Sequence, residues 1–328
     1  MTPTYQTSLF LPARAFLSQY HDERESVIRI CRDITSYSKK LIFTFHRVVN
    51  SNVNQHIYEQ TMENIKIISS RLSMIQKDYS GSVNFAKYKS SISNATEEMI
   101  EAMTFMYFIM NGKLLTYRRF IRVVETLVEG ALKEDDKIME NGLNMLIVKE
   151  GRMEECDEFS NGNFTNSNSE KIADSNDKNY HSNSKGDVID TSSTKDVIIH
   201  TNSTNSTNNI HITFIYEGDY FMGLFDLTGE IMRYTISNLM DGERTQLLEM
   251  LEFMEVLYKE IKTLFYMYPD LNIYQGIFNT DFNGKGCMSI RKKLEVFKSS
   301  LDKVEQTVCE VLIRGEEMGP IEDIMCEI

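Results

Sequence analysis

Four carboxylates are spaced so that they could hold a divalent metal ion. They form two pairs, Glu98 with Glu101 and Asp226 with Glu230. Spacings of three and four residues bring side chains to one face of an α-helix, so each pair can point at one spot. Oxygen ligands suit a hard cation such as Mg²⁺, with Mn²⁺ as a substitute. These four residues, called the acid cluster below, therefore indicate a metal site, and the alternative is a set of solvated helix-face charges.

The pattern that follows the first pair predicts carboxylates that face inward. Glu98 and Glu101 continue as a single helical stripe into Phe105 and Phe108, whose rings should face the core. Acids brought together away from water repel each other unless a cation, a hydrogen bond or a bound proton compensates. A hard cation is the simplest compensation.

Basic residues near the acid cluster could contact a nucleic-acid strand. Arg32, Lys39 and Lys40 lie on a first predicted helix, and Arg233 stands one turn beyond Glu230 as an available counter-ion. The alternative is that these cations are simply solvated on their helix faces.

Composition limits the possible classes of protein. A net charge of −13 over 328 residues argues against a protein that coats nucleic acid by itself, although an acidic site could cut a strand that a more basic partner holds. No apolar run is long enough to span a bilayer, and the 5 cysteines form no C-x-x-C pair. We expect a protein inside the cell, in the cytoplasm, with the nucleus left open as a second location.

Several common catalytic motifs are absent from the sequence. No G-x-x-x-x-G-K-[ST], H-E-x-x-H or G-x-S-x-G stretch occurs, so nucleotide-triphosphatase, zinc-protease and common hydrolase interpretations lack support. A di-iron bundle would place Glu-x-x-His on two helices, and none of the 6 histidines has a glutamate three residues before it.

Apolar periodicity predicts an all-α fold, an antiparallel bundle of about seven long helices. Only 4 prolines occur, and none interrupts the periodic segments. The predicted helical segments are 34–48, 57–75, about 85–110, 116–131, 217–234, 247–265 and 290–311. The last has a heptad-like stripe that could serve the chain's own core or a partner chain.

The composition between about 150 and 210 changes to Asn, Ser, Thr and Asp, with few large apolar residues. We interpret 150–210 as a disordered insertion between two parts of one helical domain, 1–149 and 211–328. The alternative is an ordered polar loop.

Four segments together resemble the translin superfamily. They are RDITSYSKKLIFTFHR at 32–47, ATEEMIEAMTFMYFI at 95–109, GDYFMGLFDLTGEIMRYTISNL at 218–239 and KKLEVFKSSLDKVEQTVCEVLIRG at 292–315. The acid pattern is similar to that of the paralogue group that associates with translin, because translin itself lacks an acid matching Asp226.

The resemblance implies a closed hetero-oligomer with translin and a Mg²⁺-dependent endoribonuclease acting on single-stranded RNA, with single-stranded DNA as a second candidate ligand. It also implies roles in passenger-strand removal during RNA silencing and in processing of transfer-RNA precursor fragments. Carried over by position, Glu98, Glu101 and Asp226 match the family's catalytic, metal-binding acids, and Glu230 matches an acid beside them, which we expect to orient water or act as general base. The competing interpretations are a non-catalytic partner that stabilises translin and binds nucleic acid, and a coiled-coil adaptor.

Overall fold

Long helices form most of the described chain, as the apolar stripes predict. The computed structural model describes residues 4–49, 51–80, 85–148, 210–238, 244–267 and 285–317. Within those ranges there are eight helices and no strand. The helices are α1 Thr4–Phe45, α2 Gln55–Asp78, α3 Phe85–Asn111, α4 Tyr117–Lys133, α5 Asp136–Ile147, α6 Glu217–Ser237, α7 Arg244–Met267 and α8 Lys285–Glu317. The all-α prediction is confirmed.

Local signals fix several helix ends. The Asn54 side chain accepts a hydrogen bond from the Ile57 amide at 2.9 Å and so begins α2, and Thr116 caps α4 in the same way. After α3, Gly112 takes a φ of +67°, and its amide donates to the Phe108 carbonyl at 2.7 Å. A left-handed residue at that position favours glycine, which explains the stop predicted near Asn111.

Two features of the helices differ from the expected pattern. α1 begins at Thr4, earlier than the apolar stripe indicated, and contains Pro12. α5 was not predicted, because its 12 residues include a glycine and two asparagines, which weaken a helical pattern. Gly142 explains its close packing on α4, since a Cβ there would lie 2.7 Å from Leu127 Cδ2.

Helix α3 lies at the centre of the bundle and positions the acid cluster. It packs against α1 on one side and α6 on another, and α6 packs in turn against α8. Every residue from Met99 to Met110 is buried. Phe105 and Phe108 are among them, which confirms that the aromatic half of the predicted stripe faces the core.

The heptad-like stripe of α8 serves the chain's own core. Ile290, Phe297, Leu301, Val304 and Val308 are all buried. Because α8 packs on α6 and α7, these side chains fill the space between helices of the same chain. Burial of several large aliphatic side chains here contributes on the order of 1.5–3 kcal/mol each to the hydrophobic driving force.

Some expectations fall outside what the structure describes. The predicted insertion at 150–210 lies outside the described residues except for Ile210, so its disorder and the domain limits stay predictions. Among the described helices, none combines the length and apolar character that crossing a bilayer requires. The predicted cytoplasmic or nuclear location stays a prediction.

Candidate functional site

The two carboxylate pairs come from two helices that approach each other closely. Glu98 and Glu101 lie on α3, and Asp226 and Glu230 lie on α6. Gly223 permits the approach, because a Cβ at that position would lie 2.6 Å from Ile100 Cγ2 and 3.0 Å from the Glu97 carbonyl oxygen. The absence of a side chain one turn before Asp226 therefore lets the α6 backbone rest on α3.

All four members of the acid cluster line one open cavity of about 1010 Å³, called the acidic cavity below. Its other lining residues include Lys39 and His46 from α1, Arg233 from α6 and Val296 from α8. The Phe105 ring packs against His46, with 4.8 Å between the ring centroids. The structure therefore brings the two carboxylate pairs to the same cavity, as their spacing predicted.

Two acids of the cluster are half-exposed and paired with lysines. Glu98 Oε1 lies 3.2 Å from Lys39 Nζ, and 30% of its side chain is exposed. Asp226 is 40% exposed, and Lys293 Nζ donates to its two carboxylate oxygens at 2.8 and 2.7 Å. Pairs at this level of exposure contribute little to stability, about 0–1 kcal/mol, but they keep each carboxylate oriented.

Glu230 is more enclosed and has two donors. His46 Nε2 donates to Glu230 Oε2 at 2.7 Å, and Arg233 forms an ion pair with the other carboxylate oxygen. Burial lowers the pKa of His46 below 6.5, and the charge of Arg233 lowers it further. The imidazole is therefore neutral at physiological pH, and its contact with Glu230 is a hydrogen bond to a carboxylate rather than an ion pair.

Glu101 differs from the other three acids of the cluster, because it lacks a direct partner among the described residues. Its side chain is buried, with 8% of the residue exposed, and in the described part of the chain no hydrogen bond or ion pair reaches its carboxylate. Burial raises its pKa to about 7, and the charges of Asp226 and Glu98 raise it further, against the opposing charges of Arg233 and Lys293. A buried acid surrounded by other acids favours either a proton or a cation.

The sequence analysis did not single out Glu97, which lies beside the acid cluster. Burial raises its pKa to about 7, the charges of Asp219, Asp226 and Glu98 act in the same direction, and the charge of Lys293 opposes them. Glu97 lies four residues before Glu101 and so on the same face of α3, a spacing that the sequence analysis did not use. The packing of α6 across α3 adds the charges of Asp219 and Asp226 to those of its neighbours on α3.

Of the four cations expected to contact a nucleic-acid strand, two line the acidic cavity and two do not. Lys39 and Arg233 line the acidic cavity, each next to an acid of the cluster. Lys40 instead places its ammonium 3.9 Å from the centroid of the Tyr37 ring, and Arg32 is exposed on α1. A contact of Arg32 and Lys40 with nucleic acid stays a prediction.

The donor set has the chemistry of a hard-cation site. Carboxylate oxygens from α3 and α6 face one cavity, and the buried Glu101 carboxylate has no compensating partner in the described residues. As the side chains stand, no three acids, histidines or cysteines of the described ranges are grouped closely enough to hold a metal ion. Holding a metal ion would therefore require these carboxylates to move closer together.

We expect the buried Glu101 carboxyl to make the stability of the metal-free protein depend on pH. Because its folded pKa of about 7 is above the unfolded value of 4.5, its contribution is fully present below pH 4.5 and is lost as the pH rises through about 7. In EDTA, Glu101→Gln should raise the free energy of unfolding by about 1–3 kcal/mol at about pH 8 and by less at about pH 5. Urea denaturation of wild type and variant at both pH values measures this, and an equal difference at both would contradict it.

Comparison with known proteins identifies the family. The family model described as Translin family matches residues 22–315. Translin-associated protein X of Rattus norvegicus is 22% identical over 302 residues, which cover 92% of this chain and 77% of that protein, and the Pongo abelii protein of the same name gives the same figures. The translin-associated protein X homolog of Schizosaccharomyces pombe is 31% identical over 109 residues, covering 33% of this chain and 47% of that protein. The expected resemblance is confirmed, and this chain belongs to the Translin family.

Proposed function

We propose that this chain is the catalytic subunit of a Mg²⁺-dependent endoribonuclease that cleaves single-stranded RNA within a hetero-oligomer with translin. The observation that carries the proposal is the convergence of two carboxylate pairs, from α3 and α6, on one open cavity in which Glu101 is buried without a partner. Family membership and the similarity to proteins named translin-associated protein X support the translin partnership. Passenger-strand removal in RNA silencing and transfer-RNA fragment processing are the cellular roles that this proposal includes.

Three acids of the cluster are the metal ligands in this proposal. Glu98 and Glu101 reach the cavity from α3, and Asp226 reaches it from α6. A Mg²⁺ ion held by these three residues would supply positive charge near the scissile phosphate and would lower the pKa of a water molecule. Each of the three carboxylates binds a cation better when ionised, and the raised pKa of Glu101 means that cation binding releases a proton from it at neutral pH.

Glu230, the fourth acid of the cluster, has a different role in this proposal. Glu230 is fixed by His46 on one oxygen and Arg233 on the other, so its carboxylate cannot rotate freely. A carboxylate fixed in this way can orient an attacking water and accept its proton. Arg233, whose side chain is 60% exposed, presents the rest of its guanidinium to the cavity, where a phosphate of the strand can bind.

The first test is cleavage of end-labelled single-stranded RNA by the full chain co-purified with translin. We expect cleavage in Mg²⁺ and its loss in EDTA, with activity returning when Mg²⁺ or Mn²⁺ is added back. The control is RNA binding in EDTA by the same preparation, measured by filter retention, because chelation should not abolish binding. Cleavage that persists undiminished in EDTA would contradict the proposal.

A second candidate function is a non-catalytic partner that stabilises translin and binds nucleic acid. It is favoured by the ion pairs of the acid cluster, in which Lys39, Lys293 and Arg233 already neutralise three of the four carboxylates. A well-assembled complex that binds RNA and never cleaves it in Mg²⁺ or Mn²⁺ would favour this candidate. A coiled-coil adaptor has less support, because the apolar stripe of α8 is buried in the chain's own core.

A further inference from the structure

Lys293 is enclosed by oxygen atoms of the acid-bearing helix α6. Its ammonium lies 2.8 and 2.7 Å from the two Asp226 oxygens and 3.2 Å from the Met222 carbonyl oxygen. Three oxygen acceptors use all three N–H donors of an ammonium group. Lys293 therefore satisfies its hydrogen bonds at one place on α6, although it belongs to α8, 67 residues further along the chain.

The charge of Lys293 also reaches acids that it does not contact. It acts electrostatically on both Glu97 and Glu101, in each case opposing the repulsion from the other carboxylates. With its side chain 23% exposed, this interaction is screened less than that of a surface lysine. One ammonium thus supplies compensating charge to the α3 and α6 sides of the site together.

We propose that Lys293 is the resident cation of the acid site in the metal-free protein and is exchanged for the divalent ion when that ion binds Asp226. This inference rests on the proposed function, in which Asp226 is a metal ligand. A lysine that covers both oxygens of Asp226 must leave at least one of them before the carboxylate can bind a metal. Lys293 therefore lowers the affinity for metal while it holds α6 against α8 in the absence of metal.

The exchange leaves the ammonium near a second carboxylate. Glu97 has no hydrogen bond or ion pair within the described part of the chain and is already within the electrostatic reach of Lys293. A flexible four-carbon side chain can move its charge from Asp226 toward Glu97 without leaving the site. Lys293 is on this view a positioning residue, because it acts on Asp226 and not on the reacting atoms.

The test compares Lys293→Gln with Lys292→Gln in the full chain co-purified with translin. Lys292 is the preceding residue of the same helix and is exposed, so it controls for the loss of one positive charge. Mn²⁺ binding is measured by isothermal titration calorimetry, and thermal melting is recorded in EDTA and in saturating Mn²⁺. Asp226→Asn serves as the variant that lacks the proposed ligand.

For Lys293→Gln we expect Mn²⁺ to bind about tenfold more tightly than in wild type, since a direct competitor for Asp226 is gone. We also expect a melting temperature about 2–4 °C lower in EDTA, with the deficit disappearing in saturating Mn²⁺. Lys292→Gln should change the affinity by less than about threefold and leave melting unchanged.

The outcomes separate this inference from the proposed function. Asp226→Asn could abolish Mn²⁺ binding while Lys293→Gln leaves the Mn²⁺ affinity unchanged or weakens it. That result would overturn the exchange but would still support the metal site. A melting deficit equal in EDTA and in Mn²⁺ would mean that Lys293 is only structural, and would overturn the exchange as well. Absence of any Mn²⁺ binding that depends on Asp226, in wild type and in Lys293→Gln, would remove both the metal site and the exchange.

Discussion

Glu101→Gln should lower the rate of Mg²⁺-dependent RNA cleavage by at least about 100-fold, because it removes a proposed metal ligand from the acidic cavity. The substitution keeps the size of the side chain and removes only the charge. Since the Glu101 carboxylate has no hydrogen-bond or ion-pair partner in the described residues, a neutral amide there breaks no direct contact. The measurement is single-turnover cleavage of end-labelled RNA by the variant co-purified with translin.

Two controls make this result specific. Glu63→Gln removes an exposed carboxylate from α2, which does not line the acidic cavity, and it should leave cleavage within about twofold of wild type. Size-exclusion elution and RNA binding in EDTA should be the same for wild type and both variants. If Glu101→Gln cleaves at the wild-type rate in an intact complex, the acidic cavity is not the site of the reaction.

The same residue links catalysis to stability. Its burial among carboxylates costs stability at neutral pH in the absence of metal, and the proposed cation would relieve this cost. Glu101→Gln is therefore expected to make the metal-free protein more stable while it removes activity. That opposite change in the two properties distinguishes a functional acid from a structural one, whose loss lowers both.

The local part of the site could be predicted from the sequence because it depends on helical periodicity. The spacing that places Glu101 on the stripe of Phe105 and Phe108 is a property of one helix, and the structure confirms their burial. The pairing of Arg233 with Glu230 is also local, at a spacing of three residues.

The remaining contacts depend on packing between distant segments. His46 and Glu230 are 184 residues apart, and Lys293 and Asp226 are 67 apart. No spacing rule connects such residues, because their meeting is decided by which helices pack together and how closely. Lys293 and His46 were accordingly not selected as site residues from the sequence.

Gly223 is the residue through which that packing controls the acidic cavity. We expect Gly223→Ala to destabilise the protein by about 1–3 kcal/mol and to lower its melting temperature by roughly 3–10 °C. The new Cβ would lie 2.6 and 2.8 Å from Ile100 Cγ2 and Cβ, and 3.0 Å from the Glu97 carbonyl oxygen. Because a backbone oxygen and a Cβ cannot rotate away, α6 must shift relative to α3.

Gly229→Ala is the matched control on the same helix. A Cβ there would have Arg233 Nη2 as its nearest neighbour at 3.8 Å, which is ordinary van der Waals contact. Since alanine favours helix over glycine, this variant should be as stable as wild type or more stable by about 0.5–1 kcal/mol. Thermal melting of both variants, each co-purified with translin, measures the difference. Equal melting of the two would mean that α3 and α6 do not approach as closely as the structure has them.

The shift of α6 should also reduce cleavage, since Asp226 lies one turn beyond Gly223 and must converge with Glu98 and Glu101. A displacement on the order of 1 Å in a catalytic arrangement can cost about 100-fold in rate. We therefore expect Gly223→Ala to lose cleavage well below its melting temperature, while Gly229→Ala retains folding and assembly. A Gly223→Ala protein that is destabilised but fully active would show that the distance between the two carboxylate pairs does not limit the reaction, and would leave Gly223 with a role in packing alone.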